Sequence, residues 1–271
     1  MPRYISTIYD SITEVKMAIP KKMYIITLLL LLAFFWGNCR EEKKDNSLAL
    51  AAFAFAMFGE PLVNKSCAGS TETYSWGKFT DQCNGTVKFE GVAGTFGGQV
   101  YTAQNLIFMK CSQGQVWNSE NNDCTGTGNT GDNFGASSIY EYCNAADNSC
   151  NGGTNFGVLD GGGTSTAYTT CNTLSFAGKM SGSWRVPTKN ELKALIHCTD
   201  KVIPDDRNDC GTGNYTSPSI NHLFSNTVIN PYWSSSSASG GRAWEVDFGT
   251  GRINDGSDKF SVYSIRCVSG L

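Results

Sequence analysis

The stretch that decides the fold is Ser183-Trp184-Arg185-Val186-Pro187-Thr188-Lys189-Asn190-Glu191-Leu192. Its second half has the Thr-x-x-Glu pattern of a capping box. In that arrangement the Thr188 hydroxyl accepts from the third helical amide, and Glu191 reaches back to the amide of Thr188. Pro187 fixes the direction in which the chain approaches the helix. The predicted buried stripe of this helix consists of Leu192, Leu195 and Ile196.

Strand-like runs lie on both sides of this helix, separated by glycine-rich turns. Residues 243–248 alternate between apolar and polar side chains, which is typical of a half-buried strand. A glycine-rich hairpin or loop is predicted over 91–98 and a turn over 249–251. The predicted strands are 86–89, 99–101, 106–111, 243–248 and 261–268.

A second capping-box pattern, Ser138-Ile139-Tyr140-Glu141, predicts another short helix that reaches about Ala145. Trp184 and Trp233 are large apolar side chains and are expected to be buried anchors of the core. Arg185 is expected to pair with a carboxylate or with backbone carbonyls. Long loops are predicted over 126–135 and 151–165.

Residues 1–38 are predicted to be a signal peptide. Lys21 and Lys22 precede the apolar run 24–36, which is shorter than the roughly 20 residues of a spanning helix and closes on Gly37-Asn38-Cys39. A cysteine at this junction resembles a bacterial lipobox, so Cys39 is the predicted lipidation site and mature N-terminus, carrying palmitate. The alternatives are a signal peptide without lipid and an uncleaved anchor. Translation starting at position 17 or 23 fits this pattern better than position 1.

Residues 39–60 are predicted to be a lipidated tether followed by an apolar helix. Residues 40–46 are charged, and 47–58 are rich in alanine and apolar at helical spacing. Such a helix packs on its own domain or on another subunit, so a homo-oligomer stays open. A membrane-surface helix is the alternative, although the basic polar face of such helices is missing. Residues 61–271 form the predicted disulfide-rich domain.

Composition argues against several functions. Charged residues make up 17% of the chain and the net charge is −3, so no overall basic field attracts nucleic acid. The glycine-rich segment 151–165 lacks the lysine and the strand-to-helix context of a phosphate loop. Neither His197 nor His222 lies in a nucleophile motif, and a zinc site has few ligands to draw on. No enzyme activity and no cofactor are expected.

Several motifs, in this order, carry a family resemblance. They are 107–118 with 124–126, Trp-Arg-Val-Pro-Thr-x-x-Glu-Leu at 184–192, Trp-Ser-Ser at 233–235, the strand 243–248, and Arg-Cys-Val at 266–268. Together they resemble the domain at the C-terminus of the Legionella collagen-like adhesin, over about residues 100–271. The resemblance implies an α+β, C-type-lectin-like fold that is loop-rich and disulfide-stapled, with two short helices and antiparallel strands. That fold is also related to the formylglycine-generating enzyme, which relies on a reactive cysteine pair.

Apart from Cys39, ten of the 11 cysteines remain, and an even number in an exported chain predicts a disulfide framework. The sequence alone does not fix the connectivity. Close spacing suggests four pairs, and the remaining pair would tie a helix to the final strand, as in lectin-like folds. The suggested pairs are Cys67–Cys83, Cys111–Cys124, Cys143–Cys150, Cys198–Cys210 and Cys171–Cys267.

The leading hypothesis is a non-catalytic, adhesin-like binding module on a lipoprotein of the cell envelope. The lipid would anchor the chain to the outer membrane, with the domain at the cell surface, and the ligand would be a host or matrix glycan or protein. The relative implies glycosaminoglycan recognition, but the acidic pI near 5.4 does not favour sulfated chains. The alternatives are a purely structural envelope lipoprotein and, less favoured, an enzyme of the formylglycine-generating fold.

Any ligand is expected on the loops 151–165, 200–217 and 234–242, because binding residues concentrate on loops held by a rigid scaffold. The predicted contact residues are Arg207, Tyr215, Arg242 and Arg252. A calcium ion could bind the oxygens of Asp205, Asp206 and Asp209. A solvated acidic loop is the alternative for these three aspartates, and the Glu-Pro-Asn and Gln-Pro-Asp sugar motifs of calcium-dependent lectins do not occur.

Overall fold

The computed structural model describes residues 69–125 and 139–271. The predicted signal peptide, Cys39, the tether, the apolar helix, Cys67 and the loop 126–135 lie outside these residues. The described part consists mostly of antiparallel strands with two short helices, and none of its helices is long and apolar enough to cross a membrane. The helices are α1, Thr166–Asn172, and α2, Lys189–Lys193. The strands are β1 Thr71–Tyr74, β2 Gly77–Asp81, β3 Thr86–Gly91, β4 Gly94–Phe96, β5 Gln99–Tyr101, β6 Gln104–Met109, β7 Val116–Asn118, β8 Asp123–Thr125, β9 Tyr140–Glu141, β10 Pro231–Ser237, β11 Arg242–Asp247, β12 Arg252–Asp258, β13 Val262–Tyr263 and β14 Val268–Gly270.

The larger sheet has five antiparallel strands in the order β1-β2-β3-β6-β14. The last strand of the chain therefore closes a sheet that begins with the first described strands. Val87 of β3 pairs with Phe108 of β6, and alternate side chains of these strands enter one aromatic core. Phe79 and Phe89 stack there at 4.5 Å between ring centroids, and burial of such rings is a main source of stability.

The smaller sheet has three antiparallel strands in the order β10-β11-β12 and packs beside a second core. Trp184 and Trp233 are buried in that core, as predicted. The indole of Trp233 donates to the carbonyl of Tyr140 at 2.9 Å, which satisfies its polar edge. Ser234, Ser235 and Ser236 belong to β10, so the predicted loop 234–242 is shorter than expected and covers only 238–241. The predicted closing strand 261–268 is likewise divided into β13 and β14.

Helix α2 forms with the predicted capping box. The amide of Thr188 donates to Glu191 Oε2 at 2.7 Å, and the Thr188 hydroxyl accepts from the Glu191 amide at 3.4 Å. Glu191 also binds the guanidinium of Arg185 through both carboxylate oxygens, at 2.7 and 2.6 Å. This bidentate pair is the carboxylate partner expected for Arg185, and it connects the tryptophan motif to the helix that follows it.

The predicted helix over Ser138 to Ala145 is wrong. Ser138 lies outside the described residues, while Tyr140 and Glu141 form β9 and pair with β13. The segment that follows holds asparagine, aspartate and serine, which favour turns, and lacks an apolar stripe. The first helix of the described residues is instead α1, where the Ser165 hydroxyl accepts from the amide of Tyr168 at 3.0 Å.

Four of the five predicted disulfides are present, and each joins segments that the strands alone would leave apart. They are Cys111–Cys124, Cys143–Cys150, Cys171–Cys267 and Cys198–Cys210. Cys83 is also disulfide-bonded, and its predicted partner, Cys67, lies outside the described residues. The Cys171–Cys267 bridge ties α1 to the residue before β14, as expected.

Two buried cations organise loops that have little regular structure. The ammonium of Lys259 donates to the carbonyls of Asp147 at 2.7 Å and Gly240 at 2.9 Å, and to Asn151 Oδ1 at 2.8 Å. The guanidinium of Arg266 donates to Met109 O at 2.9 Å. Both side chains are fully buried and donate to several oxygens, so they hold neighbouring segments in place rather than meeting a ligand.

Candidate functional site

The two longest described loops lie at opposite edges of the three-stranded sheet. Loop 151–165 runs along the free edge of β10, where the Leu159 amide donates to the Ser235 carbonyl at 2.7 Å. Loop 200–217 lies along the free edge of β12, where the Ile253 amide donates to the Asn208 carbonyl at 3.0 Å. The sheet therefore separates these loops, and only the second one meets the surface described next.

One cluster of the described residues, here called the Trp244 surface, consists of Lys189, Asp206, Arg207, Trp244 and Asp255. Arg207 is exposed, and the other four residues are half-buried. Trp244 is half-buried at the middle of β11. The Lys189 ammonium lies 4.4 Å from its ring centroid and the Arg207 guanidinium 5.8 Å from it. Both cations are close enough to be attracted by the face of the indole. The cluster thus gathers an aromatic ring and two cations from three separate segments.

Two aspartates hold these cations in place. Asp206 binds the ammonium groups of Lys189 and Lys193, and the Asp255 carboxylate accepts from Arg207 Nε at 2.8 Å. Burial alone would raise the pKa of Asp206, but hydrogen bonds from the two lysines outweigh it and hold the pKa below its usual value. The hydrogen bond from Arg207 likewise lowers the pKa of Asp255. Both carboxylates therefore stay ionised at neutral pH.

The structure brings together two of the four predicted contact residues. Arg242 lies 3.9 Å from Asp258 and adds to the positive field at Asp255, which Arg207 binds directly. Arg252 pairs in register with Asp247, at the opposite end of the ladder from Arg242 and Asp258. Tyr215 is half-buried against the larger core. Only Arg207 and Arg242 thus share a neighbourhood.

Sequence reasoning did not select Trp244 and Lys189 as contact residues. Strand alternation in β11 gave no signal for Trp244 as a contact residue, because it places that ring on the same side of the strand as the buried Val246. Lys189 had no such signal either. It belongs to the capping-box motif, and its position over the indole depends on how α2 packs against the small sheet.

The acidic loop 205–209 does not assemble a metal site in the described part of the chain. Asp206 is bound by two lysines, and Asp209 accepts from the amide of Gly211 at 2.8 Å. Within residues 69–125 and 139–271, no group of three histidine, cysteine, aspartate or glutamate side chains is placed to hold a metal ion. The calcium hypothesis for this loop has no support from its geometry.

The two histidines and the described cysteines already have partners within the fold. His197 Nδ1 lies 2.8 Å from the hydroxyl of Tyr74, and His222 Nδ1 lies 3.2 Å from a carboxylate oxygen of Glu72. All nine described cysteines are disulfide-bonded. Across the described residues, no free thiol is therefore available for the cysteine chemistry of the formylglycine-generating enzyme.

Together, these features define a disulfide-stapled, mainly antiparallel domain with a cluster of aromatic and charged side chains beside the small sheet. The sequence matches the Lcl C-terminal domain over residues 102–269, more than half of the chain, and the chain belongs to that family. It is thus a module related to the Legionella collagen-like adhesin. Searches for similar curated proteins and similar solved structures found no match. Strands β1 to β5 precede the matched residues, although three of them belong to the five-stranded sheet.

Proposed function

We propose that this chain is a lipid-anchored protein of the cell envelope whose described domain is a non-catalytic, adhesin-like binding module. Membership of the Lcl C-terminal domain family is the observation that carries the proposal. The proposed ligands are host or matrix glycans or proteins, and the proposed fold is C-type-lectin-like. The acidic overall charge, −3, argues for local recognition rather than attraction by a broad basic field.

The Trp244 surface is the proposed contact region. The exposed guanidinium of Arg207 can hydrogen-bond acidic groups or stack on an aromatic side chain, and the half-buried indole of Trp244 adds apolar surface beside it. Arg207 is 70% exposed, so its guanidinium meets a ligand without rearranging the core. Asp206 and Asp255 hold the two cations in place, which reduces the entropy lost on binding.

A screen of glycans and extracellular-matrix proteins with the purified chain tests this function. Binding to a ligand that Trp244→Ala or Arg207→Ala weakens at least tenfold would support the Trp244 surface. Arg252→Ala is the matched control, because it removes an exposed arginine of the same sheet outside this cluster. A ligand that binds all three variants as tightly as the wild type would place recognition elsewhere, and the absence of any ligand would reject the binding function.

The anchor is tested separately at Cys39. We propose that the signal peptide 1–38 is cleaved and that Cys39 carries lipid on the outer membrane. The wild-type chain should then partition into the detergent phase, whereas Cys39→Ala should appear in the aqueous phase, because the acyl chains supply the membrane affinity. Complete detergent partition of Cys39→Ala would rule out this lipid as the anchor. Protease accessibility on whole cells tests whether the domain faces outwards.

A purely structural envelope lipoprotein is the second candidate. It is favoured by one observation, which is that the prominent motif residues already have folding roles. Trp184 and Trp233 are buried, Arg185 binds Glu191, and Arg266 is enclosed by backbone carbonyls and hydroxyls. This candidate predicts an empty ligand screen together with an envelope defect when the chain is deleted.

A further inference from the structure

A polar cleft lies between the end of the β4–β5 hairpin and the start of α2. It has a volume of about 160 Å³. Its lining is provided by Val100, Tyr101, Thr102, Gln104, Thr188, Asn190 and Glu191. Six of these seven side chains are polar, and the seventh, Val100, is 75% exposed. Hydroxyl and amide groups therefore dominate the lining.

Two lining residues carry buried polar atoms that have no hydrogen-bond partner among the described residues. They are the hydroxyl of Tyr101, whose side chain is only 5% exposed, and Oδ1 of Asn190. Leaving such an atom unpaired costs about 1–3 kcal/mol. In native structures such an atom usually has a functional role or a bound water. A hydroxyl donor and an amide acceptor at one cleft suit a ligand with both kinds of hydrogen-bonding group.

The cleft carries no free charge to attract an ion. Glu191 is the only ionisable carboxylate in its lining, and both of its oxygens are bound by the guanidinium of Arg185. The capping box also occupies the hydroxyl of Thr188. An ionic ligand would lose its hydration without gaining an unpaired opposite charge, whereas an uncharged one avoids that cost.

We propose that this cleft is a binding subsite for an uncharged, hydroxyl-rich ring such as a neutral monosaccharide unit. One water needs about 10–15 Å³ by the same measure of volume, so the cleft holds considerably more than a single water. Hydroxyls of a sugar both donate and accept, which matches the unpaired atoms of Tyr101 and Asn190. The subsite rests on the proposed binding function, but uses residues different from those of the Trp244 surface. Lys189 connects the two regions, because its chain neighbours line the cleft and its ammonium lies over Trp244.

Tyr101→Phe separates binding from folding at this cleft. The hydroxyl has no partner in the described structure, so its removal should leave the thermal midpoint of the purified chain unchanged or raise it. We expect saturation-transfer NMR to show contact between the wild-type chain and at least one of glucose, galactose, mannose and N-acetylglucosamine. The affinity for that sugar should fall at least fivefold in Tyr101→Phe and in Asn190→Ala. Tyr168→Phe is the matched control, since it removes a tyrosine hydroxyl in α1, outside the cleft, and should bind as the wild type.

Two results would overturn the subsite. One is the absence of saturation transfer to all four sugars, and the other is unchanged affinity in the folded Tyr101→Phe variant. If Trp244→Ala abolishes binding to a larger ligand while Tyr101→Phe retains it fully, the subsite fails and the proposed function stands. Sugar binding that depends on Tyr101 but not on Trp244 would support the cleft and count against the Trp244 surface.

Discussion

The imidazole rings of His197 and His222 lie with their centroids 4.3 Å apart, and both rings contact polar groups of β1. His197 meets the Tyr74 hydroxyl and His222 meets the Glu72 carboxylate. These are the two histidines of the chain. They join β1, which precedes the residues matched by the family, to loops that lie within the matched residues. Protonation of His197 therefore acts on the junction between the two parts.

The first prediction concerns the pH dependence of stability. Burial lowers the pKa of His197, the neighbouring His222 and Lys201 lower it further, and Glu72 partly opposes them. The unfolded chain then binds this proton more readily than the folded one, so the contribution of His197 is lost as pH falls below about 6.5. His197→Gln should lose less unfolding free energy than the wild type between about pH 7.5 and pH 5.5.

Denaturant unfolding at several pH values measures this difference. His222→Gln is the useful comparison, because it removes a neighbour that lowers the pKa of His197 but keeps the contact of His197 with the Tyr74 hydroxyl. Its acid sensitivity should lie between those of the wild type and His197→Gln. Parallel pH profiles for wild type and His197→Gln would contradict the argument.

The second prediction concerns Glu245 of β11, whose contribution to stability is lost as pH rises, whereas that of His197 is lost as pH falls. Burial raises the pKa of this carboxyl to about 7, although Asn254 Nδ2 donates to it at 2.9 Å. Stability from the protonated form is complete below about pH 4.5 and is lost as pH rises through 7. Glu245→Gln keeps the shape without the charge and should raise the unfolding free energy at about pH 8 by about 2–3 kcal/mol.

The increase in unfolding free energy caused by Glu245→Gln should shrink towards zero at about pH 4, where Glu245 is neutral in both the folded and the unfolded chain. Glu90→Gln is the control, since that carboxylate is exposed on β3 and its replacement should change stability little at either pH. Equal effects of Glu245→Gln at both pH values would show that charge is not the cause.

The third prediction concerns the buried ammonium of Lys259. Lys259→Met keeps much of the volume but leaves the Asn151 amide oxygen and two carbonyls, of Asp147 and Gly240, without their donor. We expect a loss of at least about 3 kcal/mol in unfolding free energy. Lys78→Met, at an exposed position of β2, should change little. A loss of similar size in both variants would reject the role given to the ammonium.

Local patterns predicted the elements whose contacts are themselves local. Helix α2 followed from Thr188 and Glu191 because the capping box closes within four residues. The same type of pattern failed at 138–141, where pairing with the distant β13 determines the structure instead. No comparable pattern predicted α1, because Ser165 lies in a glycine-rich loop and the residue three positions after it is not a glutamate.

The candidate site was harder to predict than the fold. Arg207 was selected because of its loop, but the cluster around it also needs Trp244 from β11 and Lys189 from α2. These three residues come from separate segments and meet only after α2 and the loop 200–217 pack against the small sheet. Tertiary packing of this kind leaves no short sequence pattern, and the strand alternation indicates only that Trp244 lies on the same side of β11 as the buried Val246.

The disulfides allow a prediction based on loop length. Cys171–Cys267 closes a separation of 96 residues, whereas Cys143–Cys150 closes 7. In the chain-entropy model a longer closed loop restricts the unfolded chain more strongly. The double variant Cys171→Ala with Cys267→Ala should lose about 4–5 kcal/mol of unfolding free energy, and Cys143→Ala with Cys150→Ala about 2–2.5 kcal/mol.

Denaturant unfolding of the two double variants under oxidising conditions measures both losses. Replacing both partners avoids a free thiol that could exchange with the remaining bridges. Both bridges are buried in the same core, and each double variant removes two sulfur atoms from it. The order of the two losses therefore depends on how strongly each bridge restricts the unfolded chain. If the short bridge proves to stabilise more than the long one, its loop must contribute through native contacts, chiefly those around Asn151 and Lys259.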